Sequence, residues 1–258
     1  MTIAGLAKAF APALAVVLAL AAPLAARAQD FSPAQKDAIG EIVRAYLIDH
    51  PEVLRDAMQA LDKKEREATA AAQEKALSDP NSLVYASAHQ ADLGDPNGKT
   101  TLVEFFDYNC HFCKGALPDI QRLMKDDPKM RLVLKDFPVL GPGSVEAAKV
   151  AIAARKQLPG EKFWPFHFKL LSSPGPVGKE EALAVARGLG LDMAKLQKDM
   201  ADPDVSADID ETLKIADSLQ ISGTPSFVVG QQVVVGAVGY DQLKQKLDAV
   251  RECGHATC

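Results

Sequence analysis

Two cysteines that are three positions apart constrain this chain most, because they stand between a strand pattern and a helix pattern. Residues 101–109, which precede them, are mostly apolar and aromatic, with Glu104 in the middle. Residues 114–125, which follow, carry apolar side chains at helical spacing: Leu117, Ile120, Leu123 and Met124. The pattern therefore predicts Cys110 at a helix N-terminus, where the helix dipole and free N–H groups favour a thiolate.

A thiolate at this position predicts redox chemistry. It can attack a disulfide, and Cys113, one turn later, can displace the mixed disulfide that forms. Half of a zinc site and an inert structural disulfide are the alternatives. Zinc needs about four ligands, and the only other cysteines are Cys253 and Cys258 near the C-terminus. The strand–C-x-x-C–helix context favours a thiol-disulfide oxidoreductase without a metal or cofactor.

The N-terminal residues indicate export. A long Ala/Leu/Val stretch at 10–26 ends at Ala-Arg-Ala in 26–28, which fits a cleavage site. Pro12 and Pro23 interrupt the stretch, which suits a signal peptide better than a membrane anchor. We therefore expect a cleaved signal peptide at 1–28 and a periplasmic protein, in a space where disulfides persist.

The charge of the chain argues against a nucleic-acid partner. The formal net charge is −5, with 29 basic and 34 acidic residues. Loss of Lys8 and Arg27 with the signal peptide leaves 27 basic and 34 acidic residues, a charge of −7. The expected substrates are instead exported proteins that contain cysteines.

Residues 33–77, within an N-terminal helical segment at 29–79, have the periodicity of helices. His50-Pro51 divides them into two, and the second, at 51–77, would be about 40 Å long. Such a segment cannot bury its apolar positions alone. It can pack on its own domain or on further copies of the chain, and we favour self-association. The apolar positions are Ile39, Ile42, Val43, Tyr46, Leu47, Val53, Leu54, Ala57, Met58 and Leu61.

Residues 80–252 predict an α/β domain. Strands at 100–106 and 130–135 flank the helix that opens at the C-x-x-C motif, so they should be parallel. The other expected elements are a short strand at 83–86, a helical insertion at about 143–219, a hairpin of 226–229 and 232–235, and a helix at 240–252.

Three stretches together resemble the periplasmic DsbA/DsbC-type thiol-disulfide oxidoreductases: 103–114, 135–141, and 223–227 leading to 236–240. The likeness is closest to the ScsC-like members, which have an N-terminal oligomerisation region. It implies an α/β thioredoxin fold with a helical insertion, preceded by an α-helical N-terminal segment. It also implies a homo-oligomer and a membrane redox partner that resets the active site.

The resemblance assigns roles to particular residues. Cys110 is the attacking thiol and Cys113 the resolving thiol. Glu104 matches a buried acid beneath Cys113, where desolvation raises the pKa of a carboxyl and suits it to shuttling the thiol proton; a solvent-facing Glu104 is the alternative. Lys135 either pairs with Glu104 or lies on the surface. Thr224-Pro225 matches the family's cis-proline loop, whose Thr backbone would pair with substrate as an added strand.

The dipeptide His111-Phe112 differs from the Pro-His of oxidase-type members and the Gly-Tyr of isomerase-type members. An imidazole beside Cys110 would stabilise a thiolate and favour an oxidising pair. Phe112, and Thr224 before Pro225, favour the isomerase side. The direction of electron flow therefore stays open.

The tail bears the second cysteine pair. Cys253 and Cys258 can form a small structural disulfide, a second redox pair, or a soft-metal ligand set with His255. Export favours the structural disulfide.

Three functions remain for this chain. The favoured one is an oligomeric disulfide isomerase or reductase, and the alternative is a monomeric dithiol oxidase. The third is a holdase-like binding module, which is disfavoured because it needs neither Cys110 nor a buried Glu104 nor a proline loop.

Overall fold

The computed structural model describes residues 31–258, which fall into two compact units divided between Ala60 and Leu61. The predicted signal peptide at 1–28 lies outside the described residues. Within residues 31–258, none of the helices combines the length and the apolar character that a bilayer span requires.

Two helices open the described chain, with the predicted break at His50. Helix α1, Pro33–Asp49, begins at a capping box in which Ser32 and Gln35 satisfy each other's backbone N–H groups. Helix α2, Pro51–Leu77, follows directly. No residue of α1 is buried, and Leu77 is the only buried residue of α2. Large apolar side chains are exposed on both helices: Ile39, Ile42, Val43, Tyr46, Ile48, Val53, Leu54, Met58 and Leu61.

The second half of α2 belongs to the larger of the two units, residues 61–258. Thr69 Oγ1 donates to Gln220 Oε1 at 2.9 Å, and Gln73 Nε2 donates to the carbonyl oxygen of Leu219 at 2.7 Å. Leu77 joins a hydrophobic cluster of this unit. The unit therefore begins inside α2, and the domain boundary that the sequence suggested at 79/80 is placed too late.

The larger unit is built on five strands, β1 Ala91–Gly94, β2 Thr100–Phe106, β3 Met130–Asp136, β4 Ser226–Val229 and β5 Gln232–Val235. They form one sheet of order β1-β3-β2-β4-β5. Strands β2 and β3 are parallel, as predicted, and the other pairs are antiparallel. The mixed sheet with its helices confirms the expected α/β thioredoxin fold.

The strand predicted at 83–86 is wrong. This segment forms turns in which the N–H groups of Tyr85 and Ala86 bond to the carbonyl oxygen of Ser82. The carbonyl oxygens of Leu83 and Tyr85 accept hydrogen bonds from side chains instead of a neighbouring strand. The edge strand is β1, which starts eight residues later than the sequence pattern suggested.

Helices cover both faces of the sheet. Helix α3, His111–Asp126, connects β2 to β3, and the insertion between β3 and β4 is helical. It comprises α4 Pro142–Arg155, a 3-10 turn at Gly160–Phe163, α5 Trp164–Leu171, α6 Lys179–Gly188, α7 Met193–Met200 and α8 Pro203–Ser218, and α9 Tyr240–Cys253 closes the chain. The hydrophobic core is in two clusters, one on each face. Leu102 and Leu134 belong to the first, and Val103 and Val133 to the second.

Candidate active site

The nucleophile candidate, Cys110, is the N-cap residue of α3. Its sulfur accepts a hydrogen bond from the backbone N–H of Cys113 at 3.4 Å. The same sulfur lies 3.1 Å from the carbonyl oxygen of Thr224, to which the thiol donates. The Thr224–Pro225 peptide bond is cis. The structure therefore brings together four of the residues singled out from the sequence, Cys110, Cys113, Thr224 and Pro225.

Cys113 is protected from solvent. It is fully buried within the first core cluster. Burial raises the pKa of the Cys113 thiol well above its usual range, and the charge of Glu104 raises it further. Cys113 therefore keeps its proton until a nearby base accepts it.

Glu104 is the candidate for that base. It lies in the middle of β2, and its solvent-exposed fraction is 0%, which excludes the solvent-facing alternative. Neither carboxyl oxygen has a hydrogen-bond partner within residues 31–258. Burial raises the pKa of Glu104 from 4.5 to about 8. A carboxyl with this pKa can accept and release a proton near neutral pH.

Lys135 does not pair with Glu104, and it is not on the surface. In the parallel register Glu104 is opposite Leu134, whereas Lys135 is opposite Phe105. Because side chains alternate between the two faces of a sheet, Lys135 and Glu104 project on opposite sides. The Lys135 amine is buried and donates to the carbonyl oxygen of Leu83 at 2.7 Å. Burial lowers the pKa of Lys135 from 10.5 to about 8.

Asp107 and Asn109 shape the loop before Cys110. Sequence reasoning did not single out either residue. The carboxylate of Asp107 accepts hydrogen bonds from the N–H of Asn109 at 2.8 Å and of Leu140 at 2.9 Å. The Asn109 amide donates to Ser144 Oγ at 3.0 Å and exchanges two hydrogen bonds with the backbone of Val177. Asp and Asn two residues apart after a strand are a turn signal that could have identified them.

The dipeptide between the cysteines lies at the surface. Phe112 is 64% exposed, and its ring contacts the imidazole of His111 edge-on, with centroids 5.7 Å apart. Val139 and Leu140, in the loop that follows β3, are also exposed apolar residues. Leu140 and His111 line the same surface groove. Apolar side chains are therefore exposed both between the two cysteines and in the loop after β3, one residue of which shares a groove with His111.

The C-terminal cysteines form a disulfide in the structure, Cys253–Cys258, with a sequence separation of 5. It closes a loop at the end of α9 and holds Ala256 in the core. His255 is exposed. In the part of the chain that the structure describes, no three His, Cys, Asp or Glu side chains are grouped in a way that could hold a metal ion.

The fold and this site define a protein of the thioredoxin class with a C-x-x-C pair at the start of a helix. Residues 101–248, more than half of the chain, match the family of the DSBA-like thioredoxin domain. The chain belongs to that family. Residues 35–68 match a second description, the copper resistance protein ScsC N-terminal domain.

Solved structures agree with this assignment. A thioredoxin-like oxidoreductase from Silicibacter pomeroyi DSS-3 is 40% identical, with a TM-score of 0.61, over 69% of this chain and 96% of that one. A Proteus mirabilis ScsC variant with a linker deletion is 26% identical, with a TM-score of 0.63, over 88% and 98%. The second similarity extends over most of both chains.

Curated relatives are of two kinds. The Na(+)/H(+) antiporter NhaA 1 of Salinispora arenicola is 32% identical over 138 residues, which are 53% of this chain and 21% of the antiporter. The chain therefore spans about a fifth of that relative. Disulfide bond formation protein D of Bacillus subtilis is 26% identical over 172 residues, covering 62% of this chain and 76% of the relative.

Proposed function

We propose that this protein is an exported disulfide isomerase or reductase that works as a homo-oligomer, with Cys110 as nucleophile and Cys113 as resolving thiol. The observation that carries the proposal is the position of Cys110. Its sulfur caps α3 and contacts the Thr224 carbonyl oxygen, so one atom combines a thiolate-favouring helix end with a loop that can hold substrate backbone.

The reaction proceeds in two exchanges. The Cys110 thiolate attacks a substrate disulfide, forms a mixed disulfide, and releases the other substrate cysteine as a thiolate. In isomerisation, that or another substrate thiolate attacks the mixed disulfide and restores Cys110. In reduction, Cys113 passes its proton to Glu104 and attacks Cys110, which releases the reduced substrate and leaves a Cys110–Cys113 disulfide. A membrane redox partner then resets this disulfide to two thiols.

Exported proteins that contain cysteines are the proposed substrates. The backbone at Thr224 would pair with an extended substrate segment as an added strand. The exposed apolar side chains of Phe112, Val139 and Leu140 would contact apolar residues that a folded protein normally buries. Both features suit partly unfolded polypeptides.

Self-association is proposed through residues 33–61, with further copies of the same chain as the partner. Helix α1 has no buried residue, although its apolar side chains recur at helical spacing. Isolated helices of this length are marginal in water and need packing partners. The match of residues 35–68 to an ScsC N-terminal domain supports this role, since that part of the chain contains the exposed apolar residues.

The second candidate is a monomeric oxidase that donates its Cys110–Cys113 disulfide to exported proteins. His111 favours it, because the imidazole directly follows Cys110 and is solvent-exposed. A protonated imidazole there would stabilise the thiolate and make the disulfide more oxidising.

Three measurements on the same mature protein test the proposal: its oligomeric mass, the reduction potential of its cysteine pair, and its repair of scrambled ribonuclease. Light scattering gives the oligomeric mass, and equilibration with glutathione gives the reduction potential of the Cys110/Cys113 pair. A dimer or trimer that restores activity to scrambled ribonuclease supports the isomerase. A monomer that oxidises reduced ribonuclease but does not repair the scrambled form supports the oxidase instead.

A further inference from the structure

A second buried carboxyl lies on the strand next to that of Glu104, and the disulfide chemistry described above makes no use of it. Asp136 ends β3, two residues beyond Leu134, the register partner of Glu104. Glu104 and Asp136 therefore occupy one face of two neighbouring parallel strands, with Cα atoms roughly 8 Å apart from strand spacing and rise. Asp136 is buried, and its Oδ1 atom has no hydrogen-bond partner among the residues described.

The groups around Asp136 come from three further segments. Arg155, at the end of α4, has a guanidinium nitrogen 3.7 Å from Asp136 Oδ2, and the same nitrogen binds the carboxylate of Asp208 on α8. Asp107 lies in the loop after β2. The guanidinium of Arg155 therefore pairs with two buried carboxyls. Burial raises the pKa of Asp136, the Arg155 charge opposes that shift, and the charges of Asp208 and Asp107 add to it.

Tyr108, on which the charges of both carboxyls act, and its neighbour His167 supply no compensating charge. The Tyr108 hydroxyl lies 3.3 Å from Nδ1 of His167, and both side chains are buried. Burial and the charge of Asp136 raise the pKa of Tyr108 well above its usual range, with a smaller contribution from Glu104. Burial lowers the pKa of His167 to about 3, so its imidazole stays neutral. Lys135 projects to the opposite face, and from α3 the group facing Glu104 is Cys113.

We propose that Asp136, held by Arg155, is a positioning residue for the resolving step: its negative charge strengthens the hold of Glu104 on a proton. The inference rests on the proposed function. In that step the proton moves from Cys113 Sγ to the Glu104 carboxylate, and the Cys113 sulfur attacks Cys110. The Cys110–Cys113 bond forms, and the substrate cysteine leaves as a thiolate with the electron pair of the broken bond. Asp136 makes and breaks no bond.

The charge of Asp136 lengthens the life of the mixed disulfide. Like charges in a buried site oppose each other's ionisation, so an ionised Asp136 keeps Glu104 protonated and slows proton removal from Cys113. A slowly resolved mixed disulfide leaves the substrate time to rearrange its own disulfides before release. Asp136 thereby favours isomerisation over reduction at a site that both reactions share.

Ellman's reagent separates the two steps by stopped-flow absorbance. Attack by Cys110 on the reagent releases a first equivalent of thionitrobenzoate, and attack by Cys113 on the resulting mixed disulfide releases the second. We expect Asp136→Asn to shift the pH midpoint of the second release downward by roughly 0.5–1 unit, from the Coulomb interaction of charges about 8 Å apart. The second release then becomes up to about twofold faster near pH 7.5, where Asp136 is ionised and Glu104 is still largely protonated, and is unchanged below pH 6 and at pH 9.

The matched control is Asp92→Asn, which makes the same chemical change on β1, where Asp92 pairs with Arg131 at 2.7 Å. In Asp92→Asn the second release should keep the wild-type pH midpoint. In Asp136→Glu, which retains the charge, the midpoint should stay close to the wild-type value. An unshifted or upward-shifted midpoint in Asp136→Asn overturns this inference and leaves the proposed function intact. Absence of the first release in the wild type overturns the proposed function, and the inference with it.

A reciprocal measurement decides the matter if Asp136→Asn does not fold. Two coupled sites shift each other's titration equally. Carbon NMR of protein labelled at its aspartate carboxyls measures the titration midpoint of Asp136. In Glu104→Gln this midpoint should fall by roughly the same 0.5–1 pH unit. An unchanged midpoint overturns the inference.

Discussion

The sulfur atom of Cys110 lies 3.1 Å from the carbonyl oxygen of Thr224, although 114 residues separate them in the chain. The contact joins the N-terminus of α3 to the loop before β4. A substrate segment paired with the backbone at Thr224 would therefore present its disulfide directly to the nucleophile. Neighbouring substrate side chains would face the exposed ring of Phe112.

Replacing either active-site cysteine should impair the reaction, but at a different step in each case. We expect Cys110→Ser to abolish insulin reduction, because it removes the attacking sulfur. Cys113→Ser should instead accumulate mixed disulfides with substrate, because attack still occurs and resolution does not. Non-reducing electrophoresis after incubation with a scrambled substrate distinguishes the two variants. Equal loss without trapped species in Cys113→Ser would contradict the assigned order.

Glu104→Gln should slow the resolving step while the fold survives. The amide keeps the volume of the carboxyl but cannot accept a proton, and positioned general bases contribute roughly a hundredfold or more to such steps. We expect the second release of thionitrobenzoate to fall at least tenfold at pH 8, with the first release unchanged. A wild-type rate for the second release across the pH range would show that Cys113 loses its proton by another route.

The same substitution should change how stability depends on pH. The pKa of Glu104 is about 8 in the folded protein against 4.5 ordinarily. The folded state thus keeps a proton that the unfolded chain loses, and the free energy of unfolding falls as pH rises from 4.5 to about 8. Glu104→Gln should raise that free energy by roughly 2–4 kcal/mol at pH 7 and leave it unchanged below pH 4 or so. Urea titrations at both pH values measure it, with Glu65→Gln on the exposed surface of α2 as the control.

Lys135→Met should leave the disulfide chemistry intact, because Lys135 projects away from Glu104. The pKa of Lys135 is lowered to about 8 from 10.5, so the folded state loses this proton before the unfolded chain does. The lysine therefore lowers the free energy of unfolding below pH 8, and this cost disappears as pH rises to 10.5. We expect the free energy of unfolding of the variant to depend less on pH between those two values. Urea denaturation measures this dependence. A changed pH midpoint of the second thionitrobenzoate release would mean that Lys135 acts on Glu104 after all.

The C-terminal disulfide should be structural. Replacing both Cys253 and Cys258 by Ser should lower the free energy of unfolding by about 2 kcal/mol, from the chain entropy of so short a loop. Insulin reduction and repair of scrambled ribonuclease should be unchanged. A variant with normal stability and impaired turnover would instead identify a second redox pair.

Charged substitutions on the N-terminal helices should dissociate the oligomer. Ile42→Asp with Met58→Asp places carboxylates at two of the most exposed apolar positions, 69% and 66%. We expect a monomer by light scattering that keeps insulin reduction but loses most repair of scrambled ribonuclease, since paired sites raise the effective concentration for a second encounter. The control, Gln59→Asp, adds a charge at an exposed polar position. Undiminished repair by the monomer would show that isomerisation does not depend on self-association.

Local patterns in the sequence were sufficient for most of the fold. The apolar run before Cys110, the helical spacing after it and the Gly230-Gln231 turn predicted β2, α3 and the β4–β5 hairpin. Gly230 has φ +56°, and a Cβ atom there would come within 2.8 Å of Val250. The edge strand was misplaced because its partner, β3, is 39 residues away in sequence, and a four-residue strand carries little pattern of its own.

The polar interior could not be predicted in the same way. The burial of Lys135 depends on the register between β2 and β3, and a shift of one residue would have placed it on the face of Glu104. The grouping of Asp136, Arg155 and Asp208 depends on how α4 and α8 pack, and these three residues are far apart in the chain. Contacts of this kind arise from tertiary structure and leave no periodic trace in the sequence.

The amide of Asn109 ties the loop before Cys110 to two separate places in the helical insertion. Its three hydrogen bonds, to Ser144 and to the backbone of Val177, hold both ends of a stretch more than thirty residues long beside the nucleophile. The two helices between those anchor points also supply Arg155 to Asp136 and His167 to Tyr108. A displacement of either helix would therefore be transmitted both to the turn that carries Cys110 and to the buried carboxyls beneath it.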